Sequence, residues 1–256
     1  MISEAKHLLT LALEKAVVVG QGRGYPDVFA AVNALSSGDS RTHAERLALL
    51  KGVYVITDPD LARGRTPVEI AGAAQAGGAG ILQLRDKHLS RDGLVQAAQD
   101  IREAASAPPL FIVNDRVDVA MAANADGVHL GPDDMRPGDA RYLLGPDKLI
   151  GVSTGTLEEA RAAAPYASYF GVGAIFGSKT KLDAGGPVGV ERIQEIKAAF
   201  PHIPVVAIGG INRDNIMEVA RAGADAAAVV SAVVAAPDMA EATRELVRRF
   251  AEGKGT

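Results

Sequence analysis

Charged side chains follow directly on one of the apolar segments of the chain. In the stretch ILQLRDK, residues 81–87, Gln83, Arg85 and Lys87 occur at a spacing of two. Alternate residues of an extended strand share one face, so these three side chains can point the same way. Arg and Lys neutralise phosphate charge. The spacing therefore predicts a site for a phosphorylated ligand at the end of this strand.

Carboxylates end the next two apolar segments. Asn114 and Asp115 close the stretch PLFIVND, and Asp133 and Asp134 follow DGVHLG. Carboxylates from adjacent strand ends form a hard oxygen site of the kind Mg²⁺ uses, with substrate phosphates as further ligands. The alternative is a structural ion network, in which Arg85 and Lys87 simply pair with the carboxylates.

A second anion site is predicted near the carboxyl end of the chain. IGGINRDN, residues 208–215, offers backbone N–H groups at Gly209 and Gly210, and VVSAV, residues 229–233, adds the hydroxyl of Ser231. Barrels often hold a phosphate at the corresponding strands. The alternative is that the two glycines only make a tight turn between a strand and a helix.

Other chemistry finds little support. The chain has no Cys, no HExxH and no Ser-His-Asp order, and His129 lies inside an apolar strand, where we expect a hydrogen-bonded core residue. No apolar run of membrane-spanning length occurs, and a net charge of −4 without a basic block argues against nucleic acid as a partner. We expect a cytoplasmic protein acting on small molecules. Whether it is a monomer or a homo-oligomer stays open.

The elements that position these residues alternate regularly from residue 52. Eight apolar segments read as strands: 52–58, 80–86, 109–115, 126–131, 148–154, 169–176, 204–210 and 226–234. Helical-period stretches separate them, at 66–77, 91–106, 156–164, 189–199 and 213–222, with two short ones near 116–123 and 137–144. Thr66 and Ser90 are the predicted N-caps of the first two.

Eight strand–helix units in about 200 residues predict an α/β fold of the (β/α)₈ or TIM-barrel type. An open doubly wound sheet is the competitor, but no G-x-G-x-x-G follows the first strand. We assign residues 52–252 to the barrel. We expect residues 1–51 to form an N-terminal helical extension, with two helices around the turn 20–26 and a linker leading into the barrel.

Seven segments resemble those of the thiamine phosphate synthase family and occur in the same order. They are QLRDK, VNDRVDVA, ADGVHLGPDD, GVST, IFGSKTK, AIGGI and VVSAV. The resemblance covers the whole barrel. It implies a Mg²⁺-dependent transferase that joins hydroxymethylpyrimidine diphosphate to thiazole phosphate, releasing diphosphate and giving thiamine phosphate.

The resemblance also implies a role for each matching residue. The pyrimidine diphosphate would be bound by Gln83, Arg85, Lys87, Asn114, Ser153 and Lys181. The thiazole phosphate would be bound by Ser178, Thr180, Gly210, Val230 and Ser231. Asp115 and Asp134 would hold Mg²⁺. Catalysis would come from Arg85, Lys87 and Lys181 through stabilisation of the leaving group, because the chemistry needs no protein nucleophile.

Three positions depart from the family pattern. Pro132 stands where Gln is usual, Ala174 where Pro is common, and Gly177-Ser178 where Pro-Thr is frequent. These residues neighbour ligand positions, so they bear on loop shape more than on chemistry. We also expect the loop 178–189 to close over the substrates as a lid.

Two other functions remain as alternatives. One is a thiazole tautomerase, a close relative that would be favoured by loss of the Arg-Lys and Asp-Asp sets, both of which are present here. The other is a non-catalytic barrel that binds a phosphorylated ligand. Residues 1–51 also faintly resemble the C-terminal tail of hydroxymethylpyrimidine phosphate kinase, which would make the chain the back end of a fusion; a plain helix with a linker explains them equally well.

Overall fold

The eight apolar segments form parallel strands that close into a barrel. In the computed structural model, which describes residues 41–104, 110–177 and 186–255, each strand pairs with the next, and β8 pairs with β1. The strands are β1 (Gly52–Ile56), β2 (Ile81–Leu84), β3 (Leu110–Asn114), β4 (Gly127–Leu130), β5 (Leu149–Thr154), β6 (Tyr169–Val172), β7 (Val205–Ile208) and β8 (Ala226–Val229). The predicted TIM barrel is confirmed, and the open sheet is excluded by closure.

Helices separate the strands and surround them. They are α1 (His43–Leu49), α2 (Pro67–Ala76), α3 (Arg91–Ala104), α4 (Val117–Ala122), α5 (Pro137–Leu144), α6 (Leu157–Ala163), α7 (Glu191–Ala199), α8 (Ile216–Arg221), α9 (Ser231–Val234) and α10 (Met239–Lys254). Every helix in the described part of the chain is too short or too polar to cross a membrane.

Side-chain caps set where several helices begin. Thr66 caps α2: its hydroxyl accepts from the backbone N–H of Glu69. The carboxylate of Glu69 in turn accepts from the backbone N–H of Thr66. The predicted cap at Ser90 is also present, because its Oγ accepts from the N–H of Gly93 at 3.2 Å. Such caps satisfy N–H groups that the first helical turn leaves without partners.

Two of the predicted strand segments, 226–234 and 169–176, form strands only in their first four residues. Segment 226–234 contains two elements, since β8 ends at Val229 and Ser231–Val234 forms the short helix α9. The carbonyl of Val230 accepts from both Val233 and Val234, which turns the chain out of the sheet. Segment 169–176 likewise stops being a strand after Val172. Apolar β-branched residues alone do not distinguish a buried strand from a buried helical turn.

Side chains alternate between the two faces of each strand, and the core therefore has two parts. One set of side chains, such as Val55, Phe111 and Phe170, packs outward against the helices. The other set fills the barrel and includes Tyr54, Ile112 and Tyr169. Strands buried on both faces explain why the sequence segments are apolar almost throughout.

Helix α1 covers the amino-terminal end of the barrel. The linker predicted over residues 43–49 is wrong, because Thr42 and Glu45 form a capping box and the residues are helical. Leu47 packs against the interior cluster, and the fully buried Arg46 pairs with Asp126 at 3.0 Å. The extension helices predicted upstream, and the turn at 20–26, lie outside the described residues.

Candidate active site

The carboxyl ends of the strands bring the charged residues of the sequence patterns to one rim. Arg85 follows β2, and its Nη1 donates to Oδ2 of Asp58, at the end of β1, over 2.8 Å. The hydroxyl of Thr57 bonds both the N–H and the carbonyl of Arg85, each at 2.8 Å. The backbone and the guanidinium of Arg85 are therefore both held by the neighbouring strand.

Two carboxylates face each other after β3 and β4. Asp115 has φ of +61°, a left-handed conformation that few residues other than Gly adopt, although Asp tolerates it better than most. Burial, followed by a hydrogen bond and charge repulsion from Asp134, raises the pKa of Asp115 to about 6, although the opposing charges of Lys87 and Arg85 lower it. Oδ2 of Asp134 also accepts from the N–H of Gly131 at 2.7 Å. The pair is thus poised to share a cation or a proton.

This donor set fits Mg²⁺ better than metals that need a full protein cage. Within the described ranges, no group of three or more His, Cys, Asp or Glu side chains is arranged to hold a metal. Two carboxylates beside cationic side chains match Mg²⁺, which usually takes one or two protein carboxylates and completes its octahedron with water and substrate phosphate. Asp133, the third carboxylate considered from the sequence, is exposed at the surface.

Two predicted ligands, Gln83 and Ser153, reach the rim from the barrel interior. Gln83 is buried on β2, and its Nε2 donates to the hydroxyl of Tyr54 at 2.8 Å. Ser153 on β5 lies 3.0 Å from Nε2 of His129. Asn114 ends β3 in register with His129, while Lys87 is exposed above the rim. His129 is hydrogen-bonded in the interior, as the sequence indicated.

The ends of β7 and β8 carry the residues of the second predicted site. Gly209 and Gly210 have φ of +104° and +67°, so both adopt backbone conformations that favour glycine. A Cβ on Gly210 would lie 2.9 Å from the carbonyl oxygen of Gly177, which shows how closely the loop after β6 approaches. Val230 and Ser231 open α9 beside them, and Ser231 is exposed. The backbone here is open to a ligand at the same rim.

Three predicted residues cannot be placed at this rim from the structure. Ser178, Thr180 and Lys181 lie outside the described residues, as does most of the loop 178–189 that we expected to act as a lid. The departures from the family pattern are placed: Pro132 is exposed after β4, and Ala174 is buried against the turn at Gly209.

The rim does not form the simple ion network that was the alternative to a ligand site. Among the described residues, Arg85 pairs with Asp58, and Asp115 lies against another carboxylate instead of a cation. Sequence reasoning assigned no role to Asp58, which ends the predicted strand 52–58, and missed Tyr54 and Tyr169. The available signal was a phenol inside an apolar strand, because a buried tyrosine hydroxyl usually finds a hydrogen-bond partner.

Comparison with known proteins identifies the family of the chain. The family model described as thiamine monophosphate synthase matches residues 53–233. The thiamine-phosphate synthase of Moorella thermoacetica is 47% identical over 205 residues, which cover 79% of this chain and 97% of that protein. The thiamine-phosphate synthase of Chloroflexus aurantiacus is 49% identical over 197 residues, covering 76% of this chain and 90% of that protein.

A solved structure supports the same family. The thiamine phosphate pyrophosphorylase of Pyrococcus furiosus superposes with a TM-score of 0.74 at 39% identity, covering 82% of this chain and all of that one, 100%. The matched region coincides with the barrel and includes every described residue of the rim.

Proposed function

The chain belongs to the thiamine monophosphate synthase family, and we propose that it joins hydroxymethylpyrimidine diphosphate to thiazole phosphate, with thiamine phosphate and diphosphate as products. The C–O bond between the pyrimidine methylene and the diphosphate breaks, and its electron pair leaves with the diphosphate. The lone pair of the thiazole nitrogen forms the new C–N bond. No proton has to move, so a rim without a general base is sufficient.

The observation that carries the proposal is the pair Asp115 and Asp134 beside two cationic side chains. Burial and mutual repulsion raise the pKa of Asp115 to about 6. Keeping both carboxylates ionised without a cation between them is therefore unfavourable in free energy. Asp115 and Asp134 would hold Mg²⁺, which neutralises charge on the leaving diphosphate when bound. Arg85, fixed by Asp58, and Lys87 bind the same diphosphate from β2.

Catalysis by this rim rests on charge stabilisation and orientation. Asn114, Gln83 and Ser153 bind the pyrimidine diphosphate and orient its methylene carbon. Lys181 adds a third cation to the diphosphate, and Ser178 and Thr180 contact the thiazole phosphate. At the ends of β7 and β8, Gly210, Val230 and Ser231 offer backbone and hydroxyl donors to that phosphate. Preorganised donors of this kind stabilise developing charge without rearranging during the reaction.

The test is a reaction of the purified chain with both substrates and MgCl₂. We expect thiamine phosphate and diphosphate in equal amounts, and no turnover in excess EDTA. Asp134→Ala should lower the rate on the order of a hundredfold, as expected for a preorganised electrostatic group. Asp133→Ala is the matched control, since it removes an adjacent but exposed carboxylate and should leave the rate within about twofold.

Other outcomes would identify another function. Interconversion of thiazole phosphate tautomers without diphosphate release would indicate a tautomerase. Binding of the pyrimidine diphosphate without turnover would indicate a non-catalytic module. Undiminished synthesis in EDTA would contradict the part assigned to Asp115 and Asp134.

A further inference from the structure

A continuous chain of hydrogen bonds crosses the inside of the barrel beneath the rim. Nε2 of Gln83 donates to Oη of Tyr54 at 2.8 Å, and Oη of Tyr54 lies 3.1 Å from Oη of Tyr169. Oη of Tyr169 is 3.2 Å from Nδ1 of His129, and Nε2 of His129 is 3.0 Å from Oγ of Ser153. Five side chains from five strands thus connect the two predicted ligands Gln83 and Ser153.

Glycines on β5 and β6 leave room inside the barrel for this hydrogen-bond chain. A Cβ on Gly151 would lie 2.1 Å from Cζ of Tyr169 and 2.5 Å from Nδ1 of His129. A Cβ on Gly171 would lie 2.6 Å from Cε1 of His129. Neither distance is possible for real atoms, so β5 and β6 can pass these rings only with glycine at the two positions.

The hydrogen-bond chain has one direction in which every bond is made and the buried hydroxyl hydrogens of both tyrosines also have an acceptor. An amide nitrogen can only donate, so the oxygen of Tyr54 accepts from Gln83 and its hydrogen goes to Tyr169. Tyr169 then donates to Nδ1 of His129, which leaves the ring hydrogen on Nε2, pointing at Ser153. Burial raises the pKa of both tyrosines, so the phenols keep their hydrogens.

The direction of these hydrogen bonds decides which groups Gln83 and Ser153 present to a ligand. With its nitrogen committed to Tyr54, Gln83 has its amide oxygen left to accept a hydrogen bond. With a lone pair of Oγ occupied by His129, Ser153 has its own hydrogen left to donate. An aminopyrimidine carries N–H donors and a diphosphate carries only acceptors at neutral pH, so the ends match the two parts of that substrate.

We propose that Tyr54, Tyr169 and His129 are positioning residues, whose hydrogen-bond chain fixes Gln83 as an acceptor for the pyrimidine amine and Ser153 as a donor to the diphosphate. The inference rests on the proposed function for the identity of the substrate. An amine that donates to Gln83 releases more electron density into its ring. That density stabilises the positive charge that develops on the methylene carbon as the diphosphate leaves, so the chain acts on the rate of the chemical step.

The test interrupts the hydrogen-bond chain at Tyr169, which the proposal places in contact with neither substrate. Tyr169→Phe removes one hydroxyl and keeps the ring that fills the barrel. We expect kcat to fall about tenfold or more, since a misoriented acceptor and donor no longer favour the transition state, while KM for thiazole phosphate stays within about twofold. Tyr142→Phe is the matched control, because it removes a phenol hydroxyl from a side chain that is 86% exposed. Thermal unfolding of each variant checks that the barrel remains folded.

A second measurement does not depend on activity. Nitrogen-15 NMR of histidine-labelled protein reports which ring nitrogen carries the hydrogen, and His129→Asn assigns the signal among the five histidines of the chain. We expect the hydrogen on Nε2 in the wild type and a mixture of both forms in Tyr169→Phe. A hydrogen on Nδ1 in the wild type would overturn the direction, and an unchanged kcat in Tyr169→Phe would overturn the positioning role. An inactive wild type with the expected Nε2 signal would instead count against the proposed function.

Discussion

The carboxylate of Asp58 holds the guanidinium of Arg85 at 2.8 Å, across the ends of β1 and β2. The two carboxylate oxygens of Asp58 have different hydrogen-bond donors. Oδ2 accepts from Arg85, while Oδ1 accepts from the backbone N–H groups of Asp60 and Leu61 at 3.1 and 3.3 Å. The same side chain therefore shapes the loop after β1 and aims a cation at the rim.

Asp58→Asn should separate these two duties. The amide oxygen can still cap the loop, but the amide nitrogen cannot accept from Arg85. We expect a folded enzyme whose kcat/KM for pyrimidine diphosphate falls roughly tenfold, the factor that about 1.4 kcal/mol of a charged hydrogen bond provides. Asp60→Asn is the control, since Asp60 lies on the same loop as Asp58 but forms only an exposed pair, with His88 after β2. Equal losses in both variants would mean that only loop shape matters.

Asp115→Asn should stabilise the metal-free protein while impairing catalysis. Its pKa rises from 3.8 to about 6 because burial and Asp134 disfavour the ionised form. The folded state therefore binds this proton more tightly than the unfolded state. The resulting penalty is absent below pH 3.8, grows as the pH rises to about 6 and is constant above that. Asn also tolerates the left-handed backbone at this position.

Calorimetry at two pH values checks this. We expect the Tm of Asp115→Asn to exceed that of the wild type by about 2 °C at pH 7.5, a modest rise because solvent screens a half-buried group. The gain should shrink at pH 4.5. Added MgCl₂ should raise the Tm of the wild type but not that of the variant. A gain independent of pH would show that the carboxyl is not strained by burial.

Separate variants should weaken the two substrates separately. Arg85 lies after β2, on one side of β1, whereas Ser231 follows β8 on the other side. Arg85→Ala should mainly raise KM for pyrimidine diphosphate, and Ser231→Ala should mainly raise KM for thiazole phosphate, the latter by about tenfold or more for the loss of one hydrogen bond to a charged group. Steady-state kinetics with each substrate varied in turn measures both. If both variants raised the same KM, the assignment of the two ends would be wrong.

Asp126→Asn should affect stability without touching the chemistry. The fully buried Asp126 accepts from the backbone of Phe111 at 2.9 Å and pairs with Arg46, Arg41 and Arg102 at 3.0, 3.0 and 3.7 Å. Removing its charge leaves the buried guanidinium of Arg46 facing a neutral amide in place of a carboxylate, which costs about 3 kcal/mol or more. Urea unfolding measures the loss. The kcat of the folded variant should stay close to wild type, because this network lies at the opposite end of the barrel from the rim.

Local pattern was enough to predict the strands, the barrel and the rim. Strand segments are visible because both faces are buried, and the rim follows because parallel strands all end at one edge. The predicted residues Arg85, Asp115 and Asp134 occur there in the structure. Pattern failed at the end of β8, where the same apolar residues continue from a strand into the helix α9.

Pairing between distant residues was decided only by the tertiary structure. Tyr54 and Tyr169 are 115 positions apart and meet because β1 and β6 project side chains into one barrel interior. The partner of Arg85 is Asp58 because β1 and β2 are neighbours in register, and nothing in the spacing of the charges favours Asp58 over Asp115. Sequence by itself determined where the strands lie and which charged residues follow them, because periodicity is a local property. Which of them touch depends on closure and register, and these arise from all eight strands at once.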